Sequence, residues 1–269
     1  MVRMRNVIEL EFPNRQRVPV DCADSPSALL QLETMIGDGG NHYVLFPDAW
    51  NMYNAVRDEE LRRIYRAASG VFPDGISWLM LARLQGARVP HRLPGPSFMG
   101  LACEHGLKRH WGHYFYGGGP GVPEKLASAL VKRYPGLNVV GVFSPPFRPL
   151  TGVEEAKMKE EIEQSRAHLL WVALGAPKQE YWMAKHLGEI DVPVMLGVGA
   201  AFDFYSGARP WAPAWIRNAG MEWAFRSLTG GRKTFVRNVR CVSAISLLLT
   251  QMAIRRMLGP KSKEQRAKG

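Results

Sequence analysis

The hydrophobic pattern of the chain alternates short apolar runs with longer segments of helical spacing. Apolar runs typical of β-strands are followed by turn residues and then by apolar positions three or four apart. Strands that alternate with helices predict an α/β fold, a Rossmann-like, mostly parallel sheet with helices on both faces. The predicted strands are His42–Phe46, Gly70–Phe72, His113–Tyr116, Asn138–Phe143, Leu169–Leu174 and Val192–Val198.

Further elements flank and separate these strands. Val7–Val20 alternates apolar and polar residues around prolines, the pattern of a hairpin or of edge strands. Ser25 and Pro26 are typical of an N-cap and a first helical position, so they predict a helix that runs to Met35. The other predicted helices are Ala49–Ala67, Ile76–Gln85, Pro123–Lys132 and one that begins at Lys178.

The loops that follow the predicted strands form the candidate ligand site, because ligands bind at the carboxyl ends of strands in open α/β sheets. Four such loops are polar or rich in glycine: Phe46-Pro47-Asp48, Pro73-Asp74-Gly75, Gly117–Gly121 and Gly175-Ala176-Pro177-Lys178-Gln179. Gly118 and Gly119 would let backbone N–H groups approach a diphosphate at the start of the next helix. The alternative for this glycine loop is an ordinary tight turn.

Dinucleotide binding has weak support. Neither Gly117–Val122 nor Gly197–Phe202 completes the GxGxxG fingerprint, because valine and phenylalanine occupy its last position. A different nucleotide-dependent Rossmann-type enzyme, such as an oxidoreductase, is therefore the weaker alternative function. We predict no cofactor.

Four polar residues in this region each have a functional and a structural interpretation. Asp74 is a general base at a strand end or a turn residue that caps the next helix. Arg92 is a phosphate clamp or a solvated loop charge. Asp203, among apolar residues, is a ligand contact or a structural hydrogen-bond hub. Gln179 is a ligand contact or a solvent-exposed residue of the first helical turn.

The composition excludes several classes of protein. Apolar residues make up 46% of the 269 residues, which is enough for a filled core and excludes a disordered chain. No uncharged apolar run has the length of a transmembrane helix, and no signal-peptide apolar region is found. The three cysteines are scattered without a CxxC pair, which argues against a disulfide framework or a zinc site and favours the cytoplasm.

The net charge is confined to the end of the chain. Residues 207–269 hold 13 Lys and Arg against two acidic residues, so the whole net charge of +11 lies there. We therefore predict an α/β catalytic domain over residues 1–206 and a basic appendage over 207–269 that meets an anionic partner. Nucleic acid is not predicted, because no nucleic-acid-binding motif accompanies the basic residues.

Cys241–Ile254 is the most apolar stretch of this appendage. A helix over it carries one apolar face formed by Val242, Ile245, Leu248, Leu249 and Met252. The stretch is too short to span a bilayer but suits a helix that lies in an anionic membrane interface. The alternative is a helix packed on the body or on a second subunit, as in a homo-oligomer.

Several motifs in a shared order resemble the WecG/TagA/CpsF family, glycosyltransferase family 26. They are Pro73–Ile76, Arg92, Gly118–Glu124, Leu174–Glu180, Gly197–Phe204, Ala212–Trp215 and Glu222-Trp223 with Arg226. The resemblance implies inverting transfer of a sugar from a UDP-sugar to a polyprenyl-diphosphate-linked saccharide, in cell-envelope or exopolysaccharide synthesis. It also implies a peripheral enzyme at the inner face of the plasma membrane with no obligatory metal, and the sequence contains no DxD motif.

The resemblance also implies roles for individual residues. It identifies Asp74 as the general base and Arg92 as an arginine near the diphosphate. It identifies Gln179 and Asp203 as contacts of the nucleotide sugar and Arg226 as an appendage arginine that covers the site. Basic appendage residues, with Arg232 among the candidate substrate-binding residues, would hold anionic lipid and close over the diphosphate.

One loop departs from the family pattern. Members usually have Thr-x-Asn about 26 residues before the aspartate, where this chain has Phe46-Pro47-Asp48. Asp48 therefore replaces an amide, and it is a candidate substrate-binding residue that could share base duty with Asp74. The departure leaves an alternative function open, a catalytically degenerate membrane-associated subunit of a polysaccharide assembly system.

Overall fold

A computed structural model describes residues 6–12, 16–87, 89 and 91–258. The strands are β1 Val7–Glu11, β2 Arg17–Asp21, β3 His42–Leu45, β4 Gly70–Val71, β5 Gly112–Gly117, β6 Asn138–Phe143, β7 Leu169–Ala173 and β8 Val194–Gly197. The helices are α1 Ser25–Gly37, α2 Ala49–Ala55, α3 Glu59–Ala67, α4 Ile76–Leu84, α5 Gly95–Gly106, α6 Val122–Arg133, α7 Gly152–Gln164, α8 Lys178–His186, α9 Ala201–Tyr205, α10 Ala214–Asn218, α11 Glu222–Thr229 and α12 Gly231–Leu258.

The central sheet has six parallel strands in the order β4-β3-β8-β7-β5-β6. This confirms the predicted α/β fold with a parallel sheet. β1 and β2 pair antiparallel in a separate two-stranded sheet, as predicted for a hairpin in this region. Residues 13–15, between these two strands, lie outside the described residues.

Helices cover both faces of the central sheet, and each face has its own hydrophobic core. Along β7, Leu169 and Trp171 pack into one core while Leu170 and Val172 pack into the other. Side chains alternate between the faces of a strand, so a strand that is buried on both faces needs a continuous apolar run. This explains why β7 lacks polar alternation.

Two predicted helix boundaries are wrong. The segment Ala49–Ala67 forms two helices, because the Asp58 carboxylate caps α3 by accepting a hydrogen bond from the Leu61 N–H at 3.1 Å. The N-cap of α1 is Asp24 instead of Ser25, since the Asp24 carboxylate accepts from the Ser27 N–H at 2.9 Å. In both cases an aspartate side chain closes the first turn.

The C-terminal helix α12 packs on α2 and α4 of the body. Its Cys241, Ile245 and Leu248 side chains are buried in one of the two cores. Much of the apolar face predicted to lie in the membrane interface therefore packs on the body, as the alternative stated. Among the described helices, none is long and apolar enough to cross a bilayer. The polar tail Lys261–Gly269 lies outside the described residues.

Candidate active site

A cleft of about 820 Å³ runs along the carboxyl ends of the parallel strands. After each strand of the central sheet, the chain contributes a residue to the lining of the cleft. In the order β3 to β8, these residues are Asp48, Asp74, Gly118, Pro145, Leu174 and Gly199. This is the edge at which ligands bind in doubly wound sheets, and the volume is that of a small-molecule site.

Backbone hydrogen bonds hold the Asp74 loop against its neighbours. The Asp74 N–H donates to the Pro47 carbonyl at 3.0 Å, which ties together the loops after β4 and β3. The Arg92 guanidinium donates to the carbonyls of Asp74 at 3.4 Å and Arg217 at 2.6 Å. Arg92 is not among the residues that line the cleft, so in this structure it fixes the Asp74 loop and connects it to the C-terminal segment.

The Asp74 carboxyl is the most perturbed acid that lines the cleft. Burial, followed by the negative charges of Glu222 and Asp48, raises its pKa to about 7, while Arg226 and Arg92 act in the opposite direction. A carboxyl group with a pKa near neutrality is well matched to accepting a proton at physiological pH.

Asp48 is both a helix cap and a cleft residue. One of its carboxylate oxygens accepts hydrogen bonds from the N–H groups of Trp50 at 2.8 Å and Asn51 at 3.0 Å at the start of α2. Asparagine and aspartate are comparable N-caps. Asp48 therefore starts α2 as an asparagine would, and it also places a negative charge near Asp74.

The glycine loop after β5 reaches the cleft. Gly118 has φ +73° and lines the cleft together with Gly119. The Gly118 N–H, however, donates to the Ala173 carbonyl at 2.9 Å. The Gly118 N–H is therefore already hydrogen-bonded to the end of β7 and is not available to a diphosphate.

Gln179 is 4% exposed, so its interpretation as a solvent-exposed residue is wrong. It belongs to a buried network with Asn51, Tyr65 and Glu180. The Asn51 amide donates to the Glu180 carboxyl at 2.6 Å and to the Tyr65 hydroxyl at 3.0 Å, and the Gln179 amide donates to the same carboxyl at 3.4 Å. Burial raises the pKa of Glu180 to about 7.

Two of the other three predicted site residues line the cleft. Asp203 lies there, half-buried, with its carboxylate 3.2 Å from the Arg209 guanidinium. Arg226 also lines the cleft, with its guanidinium carbon 5.9 Å from the centre of the Phe204 ring. Arg232 is exposed at the start of α12 and is not among the lining residues.

A cluster of charged residues occupies the β6 end of the cleft. Ligand atoms of Glu155, His186 and Glu189 lie within 4.8 Å of one another, a spacing that could hold a cation. Lysines already neutralise both acids, since Lys185 lies 2.8 Å from Glu155 and Lys159 lies 2.7 Å from Glu189. The arrangement is that of an ion-pair network.

A parallel sheet with a cleft at its strand ends, lined by a carboxyl group whose pKa is near neutrality, is typical of an α/β enzyme that binds a small ligand. The chain belongs to the glycosyl transferase WecG/TagA/CpsF family, whose sequence profile matches residues 14–258. This confirms the family and the enzyme class that the motifs indicated.

Three curated relatives illustrate the family. One from Bacillus spizizenii is 24% identical over 177 residues, 66% of this chain and 67% of the relative. One from Bacillus subtilis is 25% identical over 65% of this chain and 66% of the relative. One from Staphylococcus aureus MRSA252 is 27% identical over 60% of this chain and 61% of the relative. All three are named N-acetylglucosaminyldiphosphoundecaprenol N-acetyl-beta-D-mannosaminyltransferase. The matches span about two thirds of each relative or less.

Proposed function

We propose that this protein transfers an N-acetylhexosamine from a UDP-sugar, with inversion, to a saccharide carried on a polyprenyl diphosphate. The relatives support the class of acceptor and of sugar, because their names specify a lipid diphosphate that carries N-acetylglucosamine and the transfer of N-acetylmannosamine. The observation that carries the proposal is the Asp74 carboxyl, which lines the strand-end cleft with a pKa raised to about 7.

In the proposed reaction, the Asp74 carboxylate takes the proton from the acceptor hydroxyl. The hydroxyl oxygen forms a bond to the anomeric carbon as the bond from that carbon to the UDP oxygen breaks on the opposite face. Base catalysis of this kind contributes on the order of 10²- to 10⁴-fold to a rate. The electron pair of the broken bond remains on UDP, whose diphosphate gains negative charge.

Cations that line the cleft are placed to stabilise the leaving diphosphate. Lys178 is the first residue of α8 and directly follows the loop after β7. Arg226 reaches the cleft from α11. Fixed positive charges facing a developing anion lower the barrier without a metal ion, because the donors are oriented before the reaction. We propose that these two residues bind the diphosphate and that Asp48 and Asp203 contact the sugar.

Replacing Asp74 with asparagine tests the proposed base. Asparagine has nearly the same shape but cannot accept a proton. We expect Asp74→Asn to lower kcat for transfer from UDP-N-acetylmannosamine to a lipid-linked N-acetylglucosamine by at least about 100-fold. UDP affinity, measured by calorimetry, should remain within about twofold, since the base acts in the chemical step.

Asp58→Asn is the matched control, because Asp58 caps α3 and asparagine caps a helix equally well. It should retain wild-type transfer. An Asp74→Asn enzyme with wild-type kcat would contradict the assignment. A wild-type protein that binds no UDP-sugar and transfers none would instead support the alternative of a degenerate subunit.

We also propose that α11 and α12 hold the enzyme on the anionic inner face of the membrane. Leu228 is 86% exposed, and Trp223 and Phe235 are about half exposed on the same pair of helices. Arg232 and Arg240 are exposed on α12. Exposed apolar side chains beside basic ones are typical of proteins that bind a lipid interface.

A further inference from the structure

The orientation of two amide side chains in the cleft is set by one buried carboxyl group. Glu180 is 2% exposed, and one of its oxygens receives hydrogen bonds from the amides of Asn51 and Gln179. The oxygen that receives both bonds is an acceptor in the ionised carboxylate and, as the carbonyl oxygen, in the neutral acid, so each neighbouring amide turns its NH₂ group toward it. The carbonyl oxygen of each amide then faces away from Glu180.

Asn51 has no N–H left for a ligand. An amide NH₂ group has two hydrogens, and here one is donated to Glu180 and the other to the Tyr65 hydroxyl. Asn51 also lines the cleft. The polar atom that it can offer there is its carbonyl oxygen, which is an acceptor.

Gln179 presents an acceptor that lacks a donor. Its Oε1 is buried and has no hydrogen-bond partner among the residues that the structure describes. Gln179 and Gly199 both line the cleft. A Cβ atom on Gly199 would lie 3.4 Å from this oxygen, so the glycine keeps the space beside it open. A buried acceptor without a partner costs about 1–3 kcal/mol, which a ligand donor would recover.

We propose that Glu180 is a positioning residue that fixes the Asn51 and Gln179 amides with their carbonyl oxygens toward the cleft, where they accept hydrogen bonds from N–H or O–H groups of the sugar nucleotide. The identity of that ligand rests on the proposed function. Asn51 follows β3 and Gln179 follows β7, and β8 lies between these strands in the sheet. The two acceptors therefore lie near the middle of the cleft, between the Asp74 loop and the glycine loop.

Glu180→Gln tests the proposal with a side chain of the same size. A glutamine at this position can donate as well as accept, so it no longer forces the neighbouring amides into one orientation. We expect the affinity for UDP-N-acetylmannosamine, measured by calorimetry, to fall about tenfold, the upper range for a neutral hydrogen bond. KM for this donor should rise by a similar factor, and kcat should stay within about twofold.

Two further variants separate positioning from stability. Tyr65→Phe removes the other acceptor of the Asn51 amide but leaves Glu180 in place, so it should lower the melting temperature without weakening donor binding. Gln179→Met removes the carbonyl acceptor itself and should weaken donor binding directly. In Gln179→Met/Glu180→Gln, the part of the Glu180→Gln effect that passes through Gln179 should disappear and the part that passes through Asn51 should remain, so the two losses should be less than additive.

Calorimetry with UDP alone shows which part of the sugar nucleotide donates the hydrogen bonds. Unchanged UDP affinity in Glu180→Gln places the hydrogen-bond donor on the sugar, and an equal loss places it on the uridine. The inference is overturned if Glu180→Gln binds both ligands as the wild type does, or if the double variant shows fully additive losses. A wild-type protein that binds neither ligand would contradict the proposed function instead.

Discussion

At the scale of single residues, the distinctive feature of this cleft is a second aspartate beside the proposed base. Asp48 raises the pKa of Asp74, since two negative charges in one site disfavour each other. The wild-type kcat/KM should therefore rise with pH through an apparent pKa of about 7, as the base ionises. Replacing Asp48 with asparagine removes a negative charge and should move this acid limb to lower pH.

The measurement is a kcat/KM profile from about pH 5 to about pH 9, which brackets the ionisation. Glu222→Gln should shift the limb in the same direction, because Glu222 is the larger of the two charge contributions to the Asp74 pKa. Arg226→Gln should shift it the opposite way. Profiles that coincide for wild type, Asp48→Asn and Glu222→Gln would show that Asp74 is not the titrating base.

The raised pKa also predicts a stability cost at the same residue. The folded-state pKa of about 7 lies above the ordinary value of 3.8 for an aspartate, so the folded protein binds this proton more tightly than the unfolded chain does. Stability is therefore lost as pH rises from about 4 to about 7. Asp74→Asn removes the cost and should increase the free energy of unfolding by up to about 4 kcal/mol at about pH 8, since each tenfold change in proton affinity corresponds to about 1.4 kcal/mol.

Urea denaturation at about pH 8 and about pH 4 checks this sign, because the difference between variant and wild type should vanish at the lower pH. Asp58→Asn is a control of opposite sign, since the lowered pKa of Asp58 means that its carboxylate stabilises the folded protein, and its replacement should not increase stability at about pH 8. An Asp74→Asn protein that is less stable than wild type at the higher pH would contradict a buried, destabilised base.

Site residues that follow a strand could be predicted from the sequence, whereas those that depend on contacts between distant parts of the chain could not. Asp48 and Asp74 follow predicted strands, so the rule for strand ends placed them in one region before the fold was known, and both line the cleft. Asn51 and Glu180 are 129 positions apart and meet across β8. No local pattern marks a buried pair of this kind, because each partner alone resembles a polar residue in the first turn of a surface helix.

At the scale of elements, α12 shows how packing overrides a local pattern. Apolar positions along Cys241–Ile254 predict an amphipathic helix, but they do not say whether its apolar face meets lipid or protein. The structure buries Leu248 at 8% exposure and leaves the adjacent Leu247 at 60%. The same limit explains the break between α2 and α3, where the cap formed by Asp58 interrupts a continuous helical spacing.

This pair of adjacent leucines provides a matched test of the packing. Leu248→Ala removes a side chain that is buried in the core, so it should lower the free energy of unfolding by about 2–3 kcal/mol. Leu247→Ala makes the same chemical change at an exposed site and should stay within about 0.5 kcal/mol of wild type. Chemical denaturation measures both, and equal effects would contradict the docking of α12 on the body.

At the scale of the whole molecule, the reaction cleft and the exposed apolar surface share one helix. Glu222 and Arg226 of α11 line the cleft, while Trp223 and Leu228 of the same helix stand in solvent. A lipid diphosphate that carries a sugar is likewise amphipathic, since its sugar and diphosphate are polar and its lipid chain is apolar. The net positive charge of the C-terminal quarter agrees with the proposed membrane contact, because basic residues would attract both a lipid diphosphate and anionic headgroups.

Vesicle binding tests this organisation in the full chain. Leu228→Ser/Phe235→Ser removes two exposed apolar side chains from α11 and α12, and each should contribute on the order of 1 kcal/mol when it enters the interface. We expect partitioning into vesicles with anionic lipid, measured by sedimentation, to fall at least about tenfold. Leu30→Ser is the control, since Leu30 is 49% exposed on α1.

Higher salt should weaken wild-type binding, because basic residues contribute to it. Partitioning of the double variant equal to wild type would contradict the membrane contact, and a loss of self-association instead would assign this surface to a second copy of the chain.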